Sequence, residues 1–128
     1  MQISTPMGDA LGKYLDLTAD QMKLTAGNMA NVDTPGYKTQ GFDFEAEFGK
    51  ALASPTHRDG TAMNGASGLG GPGVGEVDGL VARPDGNTVS LDRESLQLAK
   101  SQLQFRTGVA LLKSEYARMM SAIHAEAK

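Results

Sequence analysis

Ala30-Asn31-Val32-Asp33-Thr34-Pro35-Gly36-Tyr37-Lys38 ends one long helical pattern and sends the chain in a new direction. Asn28 and Asn31 stand where that pattern runs out, and Asn tolerates the left-handed backbone that often closes a helix. Pro35 cannot continue a helix and biases Thr34 toward an extended conformation. Pro35-Gly36 suit the central positions of a type II turn, where proline presets φ and glycine supplies a positive φ. The local reading is helix, stop, sharp turn.

Upstream of the turn, Leu15, Met22 and Met29 recur by sevens. Leu11, Thr18, Thr25 and Val32 form a companion row, and Leu17 and Leu24 widen one flank. This periodicity predicts a helix over 7–31, about 37 Å long at 1.5 Å per residue. The two threonines suit a crowded multi-helix setting better than a dimer seam. Gly27 weakens the helix near its end and permits close backbone approach.

Downstream, Phe44, Phe48 and Leu52 are spaced by fours and share a helix face. Asp43 is a candidate cap, and Glu45 and Glu47 lie in the first turn, where the helix dipole favours anions. Phe42 and Phe44 also alternate, which leaves a strand over 40–44 open. Residues 54–79 are rich in glycine, with little apolar surface to offset the entropy of ordering. They read as irregular chain, becoming weakly extended over Val74–Ala82. Arg83-Pro84-Asp85-Gly86-Asn87 is a turn cluster.

The last third carries the strongest helical signal. Leu91, Leu98, Phe105, Leu112 and Met119 form an unbroken row of sevens. Val109, Tyr116 and Ile123 supply the companion row in its second half. Ser95 and Gln102 weaken that row in the first half, where Leu96 and Leu103 are expected to extend the stripe. Ser90 is a candidate N-cap, and Asp92-Arg93-Glu94 a solvated or capping first turn. A helix over 91–125 is about 52 Å long.

The predicted fold is mainly α. Long N- and C-terminal helices pack as a coiled-coil-like bundle with neighbouring subunits, and between them lie a short helix and a Gly-rich irregular or extended middle segment. The segments are 1–34, 35–86 and 87–128. One helix pair cannot cover both apolar stripes, so other copies or partner chains complete them; the alternative is a two- or three-helix hairpin stable alone.

Composition removes several functional classes. A net charge of −3 over 128 residues offers no basic face for nucleic acid. Without Cys there is neither a disulfide nor a thiolate metal site, and two isolated His give no metal-ligand pattern. His124 near the end of the last helix complements its C-terminus. Gly68-Leu69-Gly70-Gly71-Pro72-Gly73 matches G-x-G-x-x-G but lacks the strand and helix that a dinucleotide site requires. Ser54, His57 and Asp59 lie too close in sequence to form a rigid triad. No catalytic, cofactor-binding or metal-binding residue is assigned. The opening residues lack a basic n-region and an apolar run, so no cleaved signal peptide is expected.

Gly27-Asn28-Met29-Ala30-Asn31-Val32-Asp33-Thr34-Pro35-Gly36-Tyr37-Lys38 resembles the signature A-x-N-[IL]-A-N-x-x-T-x-G-[YF]-[KR] of the bacterial flagellar axial proteins, the rod and hook subunits. Asp85-Gly86-Asn87-Thr88-Val89-Ser90-Leu91-Asp92-Arg93-Glu94, with Leu98-Ala99 beyond, looks like the opening of the C-terminal helix in the proximal rod members of that family. Phe42-Asp43-Phe44 and the short length also resemble them, and Thr34-Pro35-Gly36-Tyr37 lacks an insertion typical of another short rod protein. The resemblance covers roughly 7–52 and 85–125. Gly27 departs from the family's usual Ala or Asn.

The resemblance implies a structural subunit of the basal-body rod, assembling through its terminal helices into the shaft that transmits torque to the hook. It places the family motif at Asn28, Ala30, Asn31, Asp33, Thr34, Pro35, Gly36 and Tyr37, with Tyr37 a candidate anchor against a neighbour. Subunit packing is expected at Leu11, Leu15, Met22, Met29, Leu91, Leu98, Phe105, Leu112, Tyr116, Met119 and Ile123. The implied partners are other copies, other rod proteins, a rod–membrane-ring adaptor and, during secretion, the flagellar type III export apparatus. No nucleic acid, small-molecule substrate or cofactor is implied. The implied location is the rod crossing the periplasm, reached without signal cleavage. The alternatives are another short rod protein of the same family and a stand-alone helical protein-binding module.

Overall fold

A computed structural model describes residues 4–53 and 71–127. Its elements run α1 (Pro6–Ala30), β1 (Gln40–Gly41), α2 (Phe44–Ala53), β2 (Gly75–Glu76) and α3 (Leu91–Glu126). The predicted architecture is present: α1 and α3 pack along one another, and a short helix and ribbon lie near one end of the pair. Ser54, His57, Asp59, Gly68 and Gly70 fall outside the described residues.

α1 starts where Thr5 accepts the Gly8 N–H at 3.0 Å and Pro6 presets the first turn. Its end differs from the sequence expectation. Asn31 has φ −101° and ψ 17°, and no non-glycine residue among those described has positive φ. The asparagines act through their side chains instead: Asn31 Nδ2 donates to the Gly27 carbonyl at 2.8 Å, satisfying an acceptor that the helix end leaves open. The turn that follows is as expected. Gly36 has φ +73°, and the Tyr37 N–H closes onto the Thr34 carbonyl at 3.2 Å.

The 40–44 alternative resolves into both forms. Gln40–Gly41 pair antiparallel with Gly75–Glu76, and helix begins at Phe44. Asp43 Oδ1 accepts the Ala46 N–H at 3.1 Å, as a cap should. A Cβ on Gly41 would lie 2.9 Å from Val77 Cγ2, so glycine lets that side chain pack directly against the ribbon. α2 packs its aromatic side on α1: Phe44 and Phe48 set their rings edge-on to Tyr14, with centroids 5.4 and 5.6 Å away. Leu52, on the same predicted face, is half exposed. Lys50 holds the Glu47 carboxyl below its ordinary range through a 2.8 Å hydrogen bond, with the Gly73 N–H adding to the effect against partial burial.

The interior departs most from the expectation. Among the described residues only Leu17 and Val89 are buried hydrophobics. The other buried positions are mainly polar: Thr18, Gln21, Thr25, Asn28, Thr39, Asn87, Glu94 and Ser101. On α3 the buried line is Glu94, Ser101 and Gly108, spaced by sevens. At 100° per residue it lies about 60° around the helix from the Leu91–Leu98–Phe105–Leu112 row. That row flanks the seam and is half-buried to exposed. Gly108 is required by packing, since a Cβ there would come 2.7 Å from Leu15 Cδ2 and 3.2 Å from Tyr14 Cδ1. At the far end Thr5 Oγ1 donates to Glu115 Oε1 at 2.8 Å.

Two further expectations change. Leu96 and Leu103 do not extend the stripe; they are 73% and 67% exposed on the opposite side of α3, because two residues beyond Glu94 is a rotation of about 200°. Glu94 is not a solvated first-turn residue but is 1% exposed. Ser90 does cap α3, although its contact with the Arg93 N–H is long at 3.5 Å.

Candidate functional site

The two sequence motifs meet in space and form a polar clasp at the turn end of the helix pair. Its centre is Asn28, 2% exposed on the last turns of α1. Asn28 Nδ2 donates to the Gln40 carbonyl at 2.8 Å and to Glu94 Oε2 at 3.0 Å. Asn28 Oδ1 accepts from the Gln40 N–H at 3.0 Å and from the Tyr37 hydroxyl at 3.2 Å. Both donors and both acceptor sites of one amide are thereby used. The Asn28 amide pairs with both backbone groups of Gln40 as a third strand would, beside the β1–β2 ribbon.

Asn87 repeats the device from the other motif. Fully buried, it donates through Nδ2 to the carbonyls of Asn31, Val32 and Thr34 at 2.9, 3.1 and 2.8 Å, and its Oδ1 accepts the Val89 N–H at 2.8 Å. Arg83 adds Nη1 to the Val32 carbonyl and Nη2 to the Val89 carbonyl. Lys38 donates to the Gly86 carbonyl at 2.8 Å, and the Gly36 N–H to the Asp85 carbonyl at 2.9 Å. Two positive-φ glycines stand close together here: a Cβ on Gly86, at φ +85°, would lie 3.5 Å from the Gly36 Cα. Thr88 closes the set, donating its N–H to the Tyr37 carbonyl and accepting the Thr39 N–H at Oγ1.

Glu94 is the buried charge of the clasp. Arg93 Nη1 lies 2.6 Å from Oε1, and Asn28 binds Oε2, so the buried carboxylate is paired on one oxygen and hydrogen-bonded on the other. Further along the seam, the Thr25 and Ser101 hydroxyl oxygens are buried without a hydrogen-bond partner.

The expected motif residues sort into three groups. Asn28, Asn31, Thr34, Gly36 and Tyr37 are joined in the clasp; Pro35 shapes the turn; Ala30 and Asp33 are exposed. The Tyr37 hydroxyl bonds inside its own chain. Leu11, Leu15, Met22, Met29, Leu98, Leu112 and Met119 are half-buried, and Leu91, Phe105, Tyr116 and Ile123 are exposed. The periodicity reading missed Thr39, Gln40, Arg83, Asn87, Thr88, Glu94, Ser101 and Gly108. The signal for the last of these was a second row of sevens, Glu94, Ser101, Gly108 and Glu115, made of small and polar residues. Among the described residues no cluster of His, Asp and Glu is placed to hold a metal ion, and no helix is long and apolar enough to cross a membrane.

A long helix pair locked at one end by two signature motifs is the arrangement of a subunit defined by its surfaces. No family model matches the chain. Curated relatives do, and those compared are flagellar basal body rod proteins. The chain is 35% identical over 129 residues to the Cereibacter sphaeroides protein FlgB, covering 95% of this chain and 99% of the relative. It is 32% identical over 119 residues to FlgB of Salmonella typhimurium, covering 85% and 86%, and 31% identical over 121 residues to FlgB of Escherichia coli K12, with the same coverage. The chain belongs to the FlgB family of flagellar basal body rod proteins.

Proposed function

We propose that the chain is a structural subunit of the proximal rod of the flagellar basal body, part of the shaft that carries torque from the membrane ring to the hook. The observation that supports this reading best is similarity to FlgB proteins over nearly the whole chain. The interior agrees with it. The polar seam and clasp fix the geometry of the helix pair, while large apolar side chains of α3 stay at the surface, among them Leu91, Phe105, Tyr116 and Ile123. A subunit that buries its apolar area against several neighbours needs that division.

On this reading the rows Leu11, Leu15, Met22 and Met29 and Leu98, Phe105, Leu112 and Met119, half-buried except for the exposed Phe105, are completed by neighbouring copies, other rod proteins and a membrane-ring adaptor. The chain reaches the rod through the flagellar type III apparatus without signal cleavage and works without catalysis.

Two measurements test this. Purified basal bodies from a bacterium whose own FlgB is replaced by this chain should contain it at the base of the rod; recovery only in the cytoplasm would sink the reading. Phe105→Asp places a charge in a proposed interface. It should abolish swimming while export into the medium continues, and normal swimming would remove Phe105 from the packing surface.

A further inference from the structure

The helix pair is held unevenly along its length. At the clasp end, side chains bridge the two motifs several times over: Asn28 to Glu94, Asn87 to the carbonyls of Asn31, Val32 and Thr34, and Arg83 to Val32 and Val89. At the other end Thr5 Oγ1 donates to Glu115 Oε1 in a part-buried bond. Among the described residues none of α1 before Leu17 is buried, and none of α3 after Gly108. α2 steadies only one of the two helices at that end. Tyr14 meets Phe44 and Phe48, and Lys13 donates to the Ala51 carbonyl at 2.7 Å, all on the α1 side. α2 packs on α1 and does not pack on α3.

The change from tight to loose falls where α3 is weakest as a helix. Gly108 is its one glycine, and glycine inside a helix is less stable than alanine. Beside it, Thr107 Oγ1 donates to the Leu103 carbonyl at 2.9 Å, a contact that competes with the helix's own bonding and favours bending. One heptad earlier the Ser101 hydroxyl is buried without a hydrogen-bond partner. Such a group gains by meeting water.

We propose that α3 beyond Gly108 is an arm that lifts off α1 while the clasp stays shut, with residues 101–108 as its hinge. Lifting breaks the Thr5–Glu115 bond, unseats Leu15 from Gly108 and lets water reach Ser101. It breaks none of the clasp's hydrogen bonds. The apolar side chains it bares, Leu11, Leu15, Leu112 and Met119, are half-exposed in the closed pair, so little new apolar area meets water. Opening the arm therefore costs less than unfolding the chain, and the two ends behave as separate cooperative units. The clasp fixes where the pair begins, and the arm adjusts its angle to α1.

The proposal concerns the free chain and stands or falls apart from the rod reading. Amide hydrogen exchange of the full-length chain, followed by mass spectrometry, tests it. Peptides from 109–126 are expected to exchange about tenfold or more faster than those from 87–98 and 17–30, with weak dependence on urea below the unfolding transition. Equal protection in both halves of α3 overturns the arm. So does a chain with no protected amides at all, since its clasp does not hold.

Clasp variants give the second readout. Asn28→Ala removes clasp bonds that survive arm opening, so it should speed exchange in 87–98 and leave 109–126 unchanged. Thr88→Ala, which removes fewer clasp contacts, should do the same to a smaller extent. If both variants speed the two regions by the same factor, the helix pair opens only as a whole and the hinge is refuted.

Discussion

At Asn28 every hydrogen-bonding capacity of the side chain is occupied, and that sets what its loss does. Asn28→Ala leaves a buried carboxylate oxygen of Glu94 and both backbone groups of Gln40 without this partner. An orphaned buried polar group costs about 1–3 kcal/mol. Asn28→Ala should therefore lower the unfolding free energy of the isolated chain by at least that increment, read as a lower urea midpoint, and an unchanged midpoint would show that the clasp does not support the fold. Gly108 makes the complementary case. Gly108→Ala gains helix propensity of about 1 kcal/mol but drives a methyl into Leu15 and Tyr14, a kind of overpacking that costs about 1–3 kcal/mol. The expected result is a lower thermal midpoint, with a larger drop for Gly108→Val.

At the scale of the element, α3 separates two properties that sequence reading tends to merge. Hydrophobic periodicity located the helix to within a residue, placed its cap and supplied its length. It also assumed that the buried line is the apolar line, and Glu94-Ser101-Gly108 shows otherwise. Such residues mark a seam only when read for size: Gly108 admits Leu15, Ser101 occupies little volume, and Glu94 is tolerated because Arg93 and Asn28 reach it. The clasp was half legible. Both of its motifs stood out in the sequence, and Gly36 served the turn predicted for it, but nothing in the linear pattern shows that Asn87 binds three carbonyls of the other motif. α1 offers a test of the same distinction. A Cβ on Gly27 would meet nothing within 4 Å, so Gly27→Ala should stabilise the isolated chain by up to about 1 kcal/mol. Thermal unfolding followed by circular dichroism checks this, and destabilisation would reveal a constraint that the packing does not show.

For the molecule as a whole, the sequence pointed correctly to incomplete apolar burial and misplaced where the completeness lies. The finished part is polar and local to one end; the unfinished part is apolar and runs along the helices. The clasp also ties together chain segments that are far apart. Asn28 and Glu94 are 66 residues apart, and closing a loop of that size costs about 4 kcal/mol of chain entropy. α1 alone gains little, since isolated helices of its length are marginal in water. A fragment ending at residue 82 lacks Asn87, Glu94 and all of α3, and should show less than half the helical signal per residue of the full chain; full helicity in that fragment would contradict the dependence. The order in which the ends arrive therefore matters. A chain that emerges from its N-terminus keeps its first helix waiting until the last third follows, and the fold closes only when the final segment reaches the first.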